Sequence, residues 1–247
     1  MSDWLAPIGP ERVLEALAIN AALALSALAL RLVRRSAVVP GIALGAALYL
    51  LAGRAGFAVL LGFFVLGTAV TRWGYARKAA RGVAEASGGR RGGSHVVANG
   101  AVALAAAALA RVFPQAGALW AVAYVAAFAT ALSDTTSSEI GPLSAASPLS
   151  LRTGRCVAPG TPGAVSAAGT AAGAAAAAAM AALGWAVGLV DVPGAAAVTV
   201  GGFAGNLLES AVTAWSGRRA PGHGLLNAAN TLIGALLSVA IVLVARR

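Results

Sequence analysis

The chain has one cysteine, two histidines and eight acidic side chains in 247 residues. The lone Cys156 excludes an intramolecular disulfide, and with only His95 and His223 beside it no zinc–thiolate cluster can be built. No Gly-Lys-Ser or Gly-Lys-Thr follows a glycine-rich turn, which excludes a Walker phosphate loop. Charge is scarce: 11% of residues are charged against 59% apolar, and the mean hydropathy is +0.82. That balance belongs to a membrane protein, not to a soluble globule. The net charge of +10 does not call for nucleic acid, because the basic residues cluster in short loops, where the positive-inside bias and anionic lipid headgroups place them.

A bilayer core of about 30 Å takes about 20 apolar residues per helix. The apolar runs predict an all-α, polytopic transmembrane bundle of seven to eight spans, at 12–32, 37–53, 55–71, 96–112, 116–133, 163–187, 194–215 and 224–245. Only Gly53-Arg54 separates the second and third, so a re-entrant hairpin or one broken span would lower the count. The first span has neither a basic n-region nor a small-residue cleavage site and is expected to be retained. A single integral membrane domain is expected, with a basic loop over 72–95 and an acidic and arginine-bearing loop over 134–162. Arg31, Arg34, Arg35, Arg72, Arg77, Lys78, Arg81, Arg90, Arg91, Arg152, Arg155, Arg218 and Arg219 fall on one side, 13 of the 18 basic residues. That side is expected to be cytoplasmic, and the compact, alanine-rich chain suggests a prokaryotic cell membrane. Arg246 and Arg247 on the opposite side favour seven spans over eight.

"GTAAG" at 169–173 and "GGFAG" at 201–205 are both Gly-x-x-x-Gly, and residues 174–179 are six alanines. Such faces let helices approach closely in lipid. Chemistry must then come from polar groups placed in the membrane at a cost. Glu209 is the clearest, since a charge inside a span costs about 2.5–3.5 kcal/mol on insertion scales. Asn206, Glu209 or Ser210, and Thr213 form one helical stripe, and Asn227, Asn230, Thr231 and Ser238 form another. They face either each other, as a hydrogen-bonded seam, or a shared wet cavity.

"ALSDTTSSEIGPLS" at 131–144 sets Asp134 and Glu139 at the end of the fifth span. Asp134 and Ser138 are i, i+4 neighbours, whereas Asp134 and Glu139 diverge by about 140° on an unbroken helix. Either the helix breaks there or the carboxylates take different partners. Hard oxygen ligands beside a basic loop suit a magnesium-bound polyphosphate; an incidental acidic pair at a solvated loop end is the alternative. In "RTGRCVAPGTPGAVSAAGT", Arg152 and Arg155 precede Gly160, Thr161, Pro162 and Gly163, which read as a helix start able to hold an anion, or as a simple cap. In the basic loop, glycines 88, 89, 92 and 93 flank Arg90 and Arg91, giving a connection able to close over phosphate. His95 and Asn99 follow at i, i+4.

"SDTTSSEIGPLS", "VAPGTPGAVSAAGTAAG", "GGFAGNLLESAVTA" and "NAANTLIGALL", in this order behind "RRGGSHVVANG", resemble the membrane family of plant phytyl-phosphate kinase and its prokaryotic and animal relatives, over about residues 71–238. The acidic stretch also looks like a motif of the more distant polyprenol kinases. The resemblance implies phosphorylation of a phytyl- or geranylgeranyl-type monophosphate to its diphosphate at the bilayer surface. It further implies Mg2+ and CTP or another nucleoside triphosphate as donor. It carries Asn99, Asp134, Ser138, Glu139, Asn206, Glu209 and Asn230 into the site, with Asp134, Glu139 and Glu209 as catalytic and metal-binding carboxylates. Glu209 stands where an aspartate is usual in the family. Arg90, Arg91, Arg152 and Arg155, with Gly160, Thr161 and Gly163, are expected to cover phosphate charge. Two other classes fit the same polar stripes: a small-solute or lipid transporter with a midplane pathway, and a nucleotidyltransferase forming a CDP-lipid.

Overall fold

The structure, a computed structural model, describes residues 7–216 and 222–246. Arg218, Arg219, Arg247 and the side chain of His223 lie outside the described residues. The elements are α1 (Pro10–Ala29), α2 (Val38–Arg72), α3 (Tyr75–Ala80), the single turn α4 (Ala86–Gly89), α5 (Gly93–Val112), α6 (Gly117–Ile140), β1 (Leu149–Ser150), β2 (Ala164–Val165), α7 (Ala167–Ala186), α8 (Val192–Ser216) and α9 (His223–Ala245). Seven helical segments are long and apolar enough to cross a membrane, so the chain is an all-α polytopic bundle.

The segment 35–72 is two legs, not one rod. Gly53 takes φ 66° and ψ −171°, a backbone region open only to glycine. Beyond it the chain turns back. Phe57 packs edge-on against Tyr49, with ring centres 5.3 Å apart, and Phe64 packs against Val33 and Ala37. An unbroken helix would hold residues 37 and 64 about 40 Å apart. The helices expected at 37–53 and 55–71 therefore lie side by side, and at 1.5 Å per residue each is about 25 Å long, close to one bilayer core. Helix α1 packs on this hairpin: Asn20 fills the space over Gly45, where an added Cβ would come within 1.9 Å of its Oδ1.

Helix α6 is the axis of the bundle, buried without interruption from Ala121 to Ser133. Its small side chains let α2, α5, α7, α8 and α9 all pack against it. The Gly-x-x-x-Gly faces serve this packing, since lipid offers no hydrophobic force to drive helices together and close backbone contact must do so. A Cβ at Gly234 would come 2.0 Å from Thr130 Oγ1, and one at Gly205 would come 3.0 Å from the Gly234 backbone.

The two ends of the bundle differ. At one, Arg246 pairs with Asp191 at 2.8 Å, Arg54 with Glu15 at 3.2 Å, and Arg111 donates to the Leu50 carbonyl at 2.9 Å. At the other, the Arg34 backbone N–H donates to the Arg91 carbonyl at 3.0 Å and Arg72 donates to the Arg31 carbonyl at 2.9 Å. This basic end gathers the 31–36, 72–93 and 134–166 connections, and it carries the site.

Candidate active site

A cavity of about 420 Å³ opens at the basic end between α5, α6, α8 and α9. Helix α6 contributes Asp134, Thr135, Ser138 and Glu139; α8 contributes Glu209, Ser210 and Thr213; α5 and α9 contribute His95, Asn99 and Asn227. Glu85, Arg91 and the loop 160–163 complete the wall. Segments far apart in sequence thus meet because α6 ends here, α5 and α9 begin here, and α8 reaches its last turns here.

Helix α6 continues unbroken through Ile140, and its two carboxylates take different partners. Glu139 forms a buried ion pair with Lys78, which has no solvent exposure and also donates to the Thr71 carbonyl at 2.8 Å. Lys78 thereby ties the C-terminal carbonyls of α2 to the end of α6, a favourable place for a cation. Asp134 remains in the cavity wall across from Glu209. Glu209 accepts a hydrogen bond from Asn230 Nδ2. Asn206 does not reach the cavity: its Nδ2 donates to Ser133 Oγ at 3.0 Å and Ser137 Oγ at 2.9 Å, locking α8 onto α6. Asn227 Nδ2 donates to Asn99 Oδ1 at 3.1 Å, joining α9 to α5. The two polar stripes are both seam and cavity wall.

Arg91 donates to Thr135 Oγ1 at 3.1 Å and lies over the Phe63 ring. Burial pushes its pKa below the usual arginine value, opposed by the charges of Glu139, Glu85 and Asp134; an arginine so placed keeps its proton at neutral pH. His95 Nδ1 is buried without a protein partner, so a ligand in the cavity can hydrogen-bond to it.

The other predicted phosphate contacts divide. Gly160, Thr161 and Gly163 line the cavity, but as a loop and not as a helix start. Ala164-Val165 pair with Leu149-Ser150, and α7 begins only at Ala167, capped by Ser166 Oγ accepting from Gly169 N at 3.1 Å. Arg152 and Arg155 sit exposed in the excursion between β1 and β2, and Arg90 donates to the Ser87 carbonyl at 2.9 Å. None of these three lines the cavity.

The lining is therefore acidic, with Glu85, Asp134, Glu139 and Glu209 facing Arg91. An anion enters such a space only with a cation. Among the described residues no three His, Cys, Asp or Glu side chains cluster as a closed metal cage. Asp134 and Glu209, with the hydroxyls of Ser138, Ser210 and Thr213, are a hard-oxygen donor set. They fit Mg2+ in its usual manner, held by one or two carboxylates with the remaining positions left to substrate phosphates and water.

Fold and site together define a polytopic helical membrane protein with an acidic, oxygen-lined cavity at its basic end. The chain belongs to the family of integral membrane protein DUF92, whose model matches residues 18–224. This is the phytyl-phosphate kinase-like membrane family that the ordered motifs resemble. The chain is 38% identical over 202 residues to an uncharacterised membrane protein of Synechocystis sp., covering 80% of this chain and 78% of that one. It is 34% identical over 189 residues to an uncharacterised membrane protein of Methanocaldococcus jannaschii, covering 74% of each. Protein VTE6, chloroplastic, of Arabidopsis thaliana is 32% identical over 195 residues, which is 76% of this chain and 58% of that longer protein. No solved structure matches.

Proposed function

We propose that the protein is a membrane-embedded isoprenoid-phosphate kinase, transferring the γ-phosphoryl group of CTP or another nucleoside triphosphate to a phytyl- or geranylgeranyl-type monophosphate. The observation that carries this reading is the acidic cavity with one half-buried arginine, Arg91, at the bundle end where a bilayer-anchored phosphate would meet a water-borne nucleotide. Membership of the family that the motifs resemble supports the same chemistry. Glu209 lies seven residues from the end of α8, about 10 Å along the helix, so the carboxylates gather at one end. A transporter reading asks for them at the midplane.

Phosphoryl transfer leaves the protein mainly to position reactants and offset charge. Asp134 and Glu209 would hold Mg2+, and the ion would supply neutralisation of phosphate charge. Arg91 donates to a phosphate oxygen, and the His95 ring and the 160–163 loop limit where the phosphates sit. An oxygen of the lipid monophosphate forms the new bond to the γ-phosphorus. The bond from that phosphorus to the β,γ-bridging oxygen breaks, and the nucleoside diphosphate leaves. The attacking oxygen is already anionic, so no general base is needed. Glu139, engaged by Lys78, is a positioning residue that fixes the end of α6.

Purified protein with Mg2+, geranylgeranyl or phytyl monophosphate and γ-labelled CTP or ATP should place label in a prenyl diphosphate. Asp134→Asn and Glu209→Gln should each lower the rate by about 10²-fold or more. Absence of transfer from folded protein with either lipid and either nucleotide overturns the reading. In a parallel reaction with α-labelled CTP, label in a CDP-lipid assigns nucleotidyl transfer.

A further inference from the structure

A second hollow, of about 850 Å³, lies on the outer face of the same helix ends, between the start of α2, α5 and α9. Its lining is mostly apolar, with Pro40, Val97, Ala98, Ala101, Leu225 and Ala228, and also takes in Ser36 and Ser94. Val97 and Leu225 are 55% and 66% exposed at the head of apolar spans, so the groove faces the bilayer just below its surface. Its one charged residue is Arg34, which has no ion pair with any described residue.

The wall between this groove and the polar cavity is thin. Neighbouring residues of α5 and α9 face opposite ways: Asn99 and Asn227 line the cavity, Ala98 and Ala228 the groove. Across the seam run the Asn227–Asn99 hydrogen bond and a contact of Gly224 with Ala98, where a Cβ added to Gly224 would stand 4.0 Å from the alanine Cβ. Arg34 on the groove side is joined through its backbone N–H to the carbonyl of Arg91 on the cavity side, so the seam has a guanidinium on each flank.

We propose that this groove is the subsite for the isoprenoid tail, and that the α5–α9 seam is the lateral entrance through which the lipid's phosphate reaches the cavity. The assignment rests on the kinase reading, since it takes the lipid monophosphate as substrate. A phosphate held by a tail in the bilayer must come in from the side. Of the cavity's four helices, α5 and α9 are the pair with an apolar, bilayer-facing groove directly behind their contact. The small side chains leave room for a methyl-branched chain, and Arg34 meets the phosphate before Arg91 does.

The 4.0 Å separation suits a disulfide. In a Cys156→Ser background, Ala98→Cys with Gly224→Cys should cross-link on oxidation and staple the entrance. The staple is expected to lower turnover of geranylgeranyl monophosphate about tenfold or more, with recovery on reduction, while a water-soluble five-carbon prenyl monophosphate, which enters from the aqueous mouth, stays within about twofold. Undiminished long-chain turnover in the stapled protein, or equal loss for both substrates, overturns the proposal. Photolabelling of the unaltered protein by a diazirine-tailed prenyl monophosphate separates this from failure of the kinase reading. Label on 97–101 and 225–228 supports the groove even if no phosphate is transferred. Label confined to the apolar crevice that Leu23, Ala27, Leu60 and Phe64 line between α1 and α2 removes the groove even if transfer occurs.

Discussion

Lys78 is the chain's one lysine among 18 basic residues, and its burial explains the choice. A compact ammonium with three donors can satisfy Val70 and Thr71 carbonyls and the Glu139 carboxylate together; the flat fork of arginine cannot. Removing one partner of such a pair strands a buried charge. Lys78→Met should lower unfolding stability by about 3–5 kcal/mol, and Lys78→Met with Glu139→Leu should recover most of it. Lys78→Arg should also destabilise. Thermal unfolding in detergent measures all three, and a double variant no more stable than the single one would refute the pairing as the cause. In the sequence Lys78 reads as one more topological charge, because loop charge counts treat lysine and arginine alike. Its singularity was the available signal. Asp134 and Glu209 were legible for the opposite reason: a carboxylate in or beside an apolar span is costly enough to stand out.

At the scale of elements, the α2 hairpin turns on Gly53, whose φ of 66° no side chain adopts without strain. Gly53→Ala should cost about 1–3 kcal/mol. Gly41→Ala lies on the same helical segment, its added Cβ meets nothing within 4 Å, and it should be neutral or stabilising by up to about 1 kcal/mol. Equal melting temperatures for the two variants in detergent would mean that the turn at Gly53 is not required. The paired apolar runs at 37–53 and 55–71 are visible in the sequence. That they reverse direction is not, because hydropathy carries no dihedral angle. The β1–β2 pairing was equally hidden: two-residue strands show no periodicity, and "VAPGTPG" reads as well for a helix start as for a loop. Hence Gly160, Thr161 and Gly163 belong to the site by a different backbone from the one expected, while Arg152 and Arg155, carried outward between the strands, do not line it.

At the scale of the molecule, α1, the two legs of α2, and α5 to α9 make eight passages between the ends. An even number sets Pro10 at the start of α1 and Arg246 after α9 on the face opposite the site, in keeping with Arg246 pairing with Asp191 far from the basic loops. The terminal arginines had favoured seven spans, but the carboxylate of Asp191 offsets one of them locally, and the remaining basic residues of the 31–36, 72–93 and 134–166 connections outweigh the pair. The convergence of "SHVVAN", "SDTTSSE", "NLLES" and "LLNAAN" was legible as shared polarity at helix ends, since each motif falls at the same end of its span once the passages alternate. Which residues touch had to come from packing. The kinase reading requires that end to face the compartment that holds nucleotide, by the positive-inside bias the cytoplasm. The single native cysteine reports on it: Cys156 is exposed at the basic end, and Gln115, exposed in the α5–α6 turn, is at the other. In intact cells a membrane-impermeant maleimide should label Gln115→Cys in a Cys156→Ser background and leave native Cys156 unlabelled, with the pattern reversed in inverted vesicles. Labelling of Cys156 from outside the cell would set the acidic cavity apart from its nucleotide and end the kinase assignment.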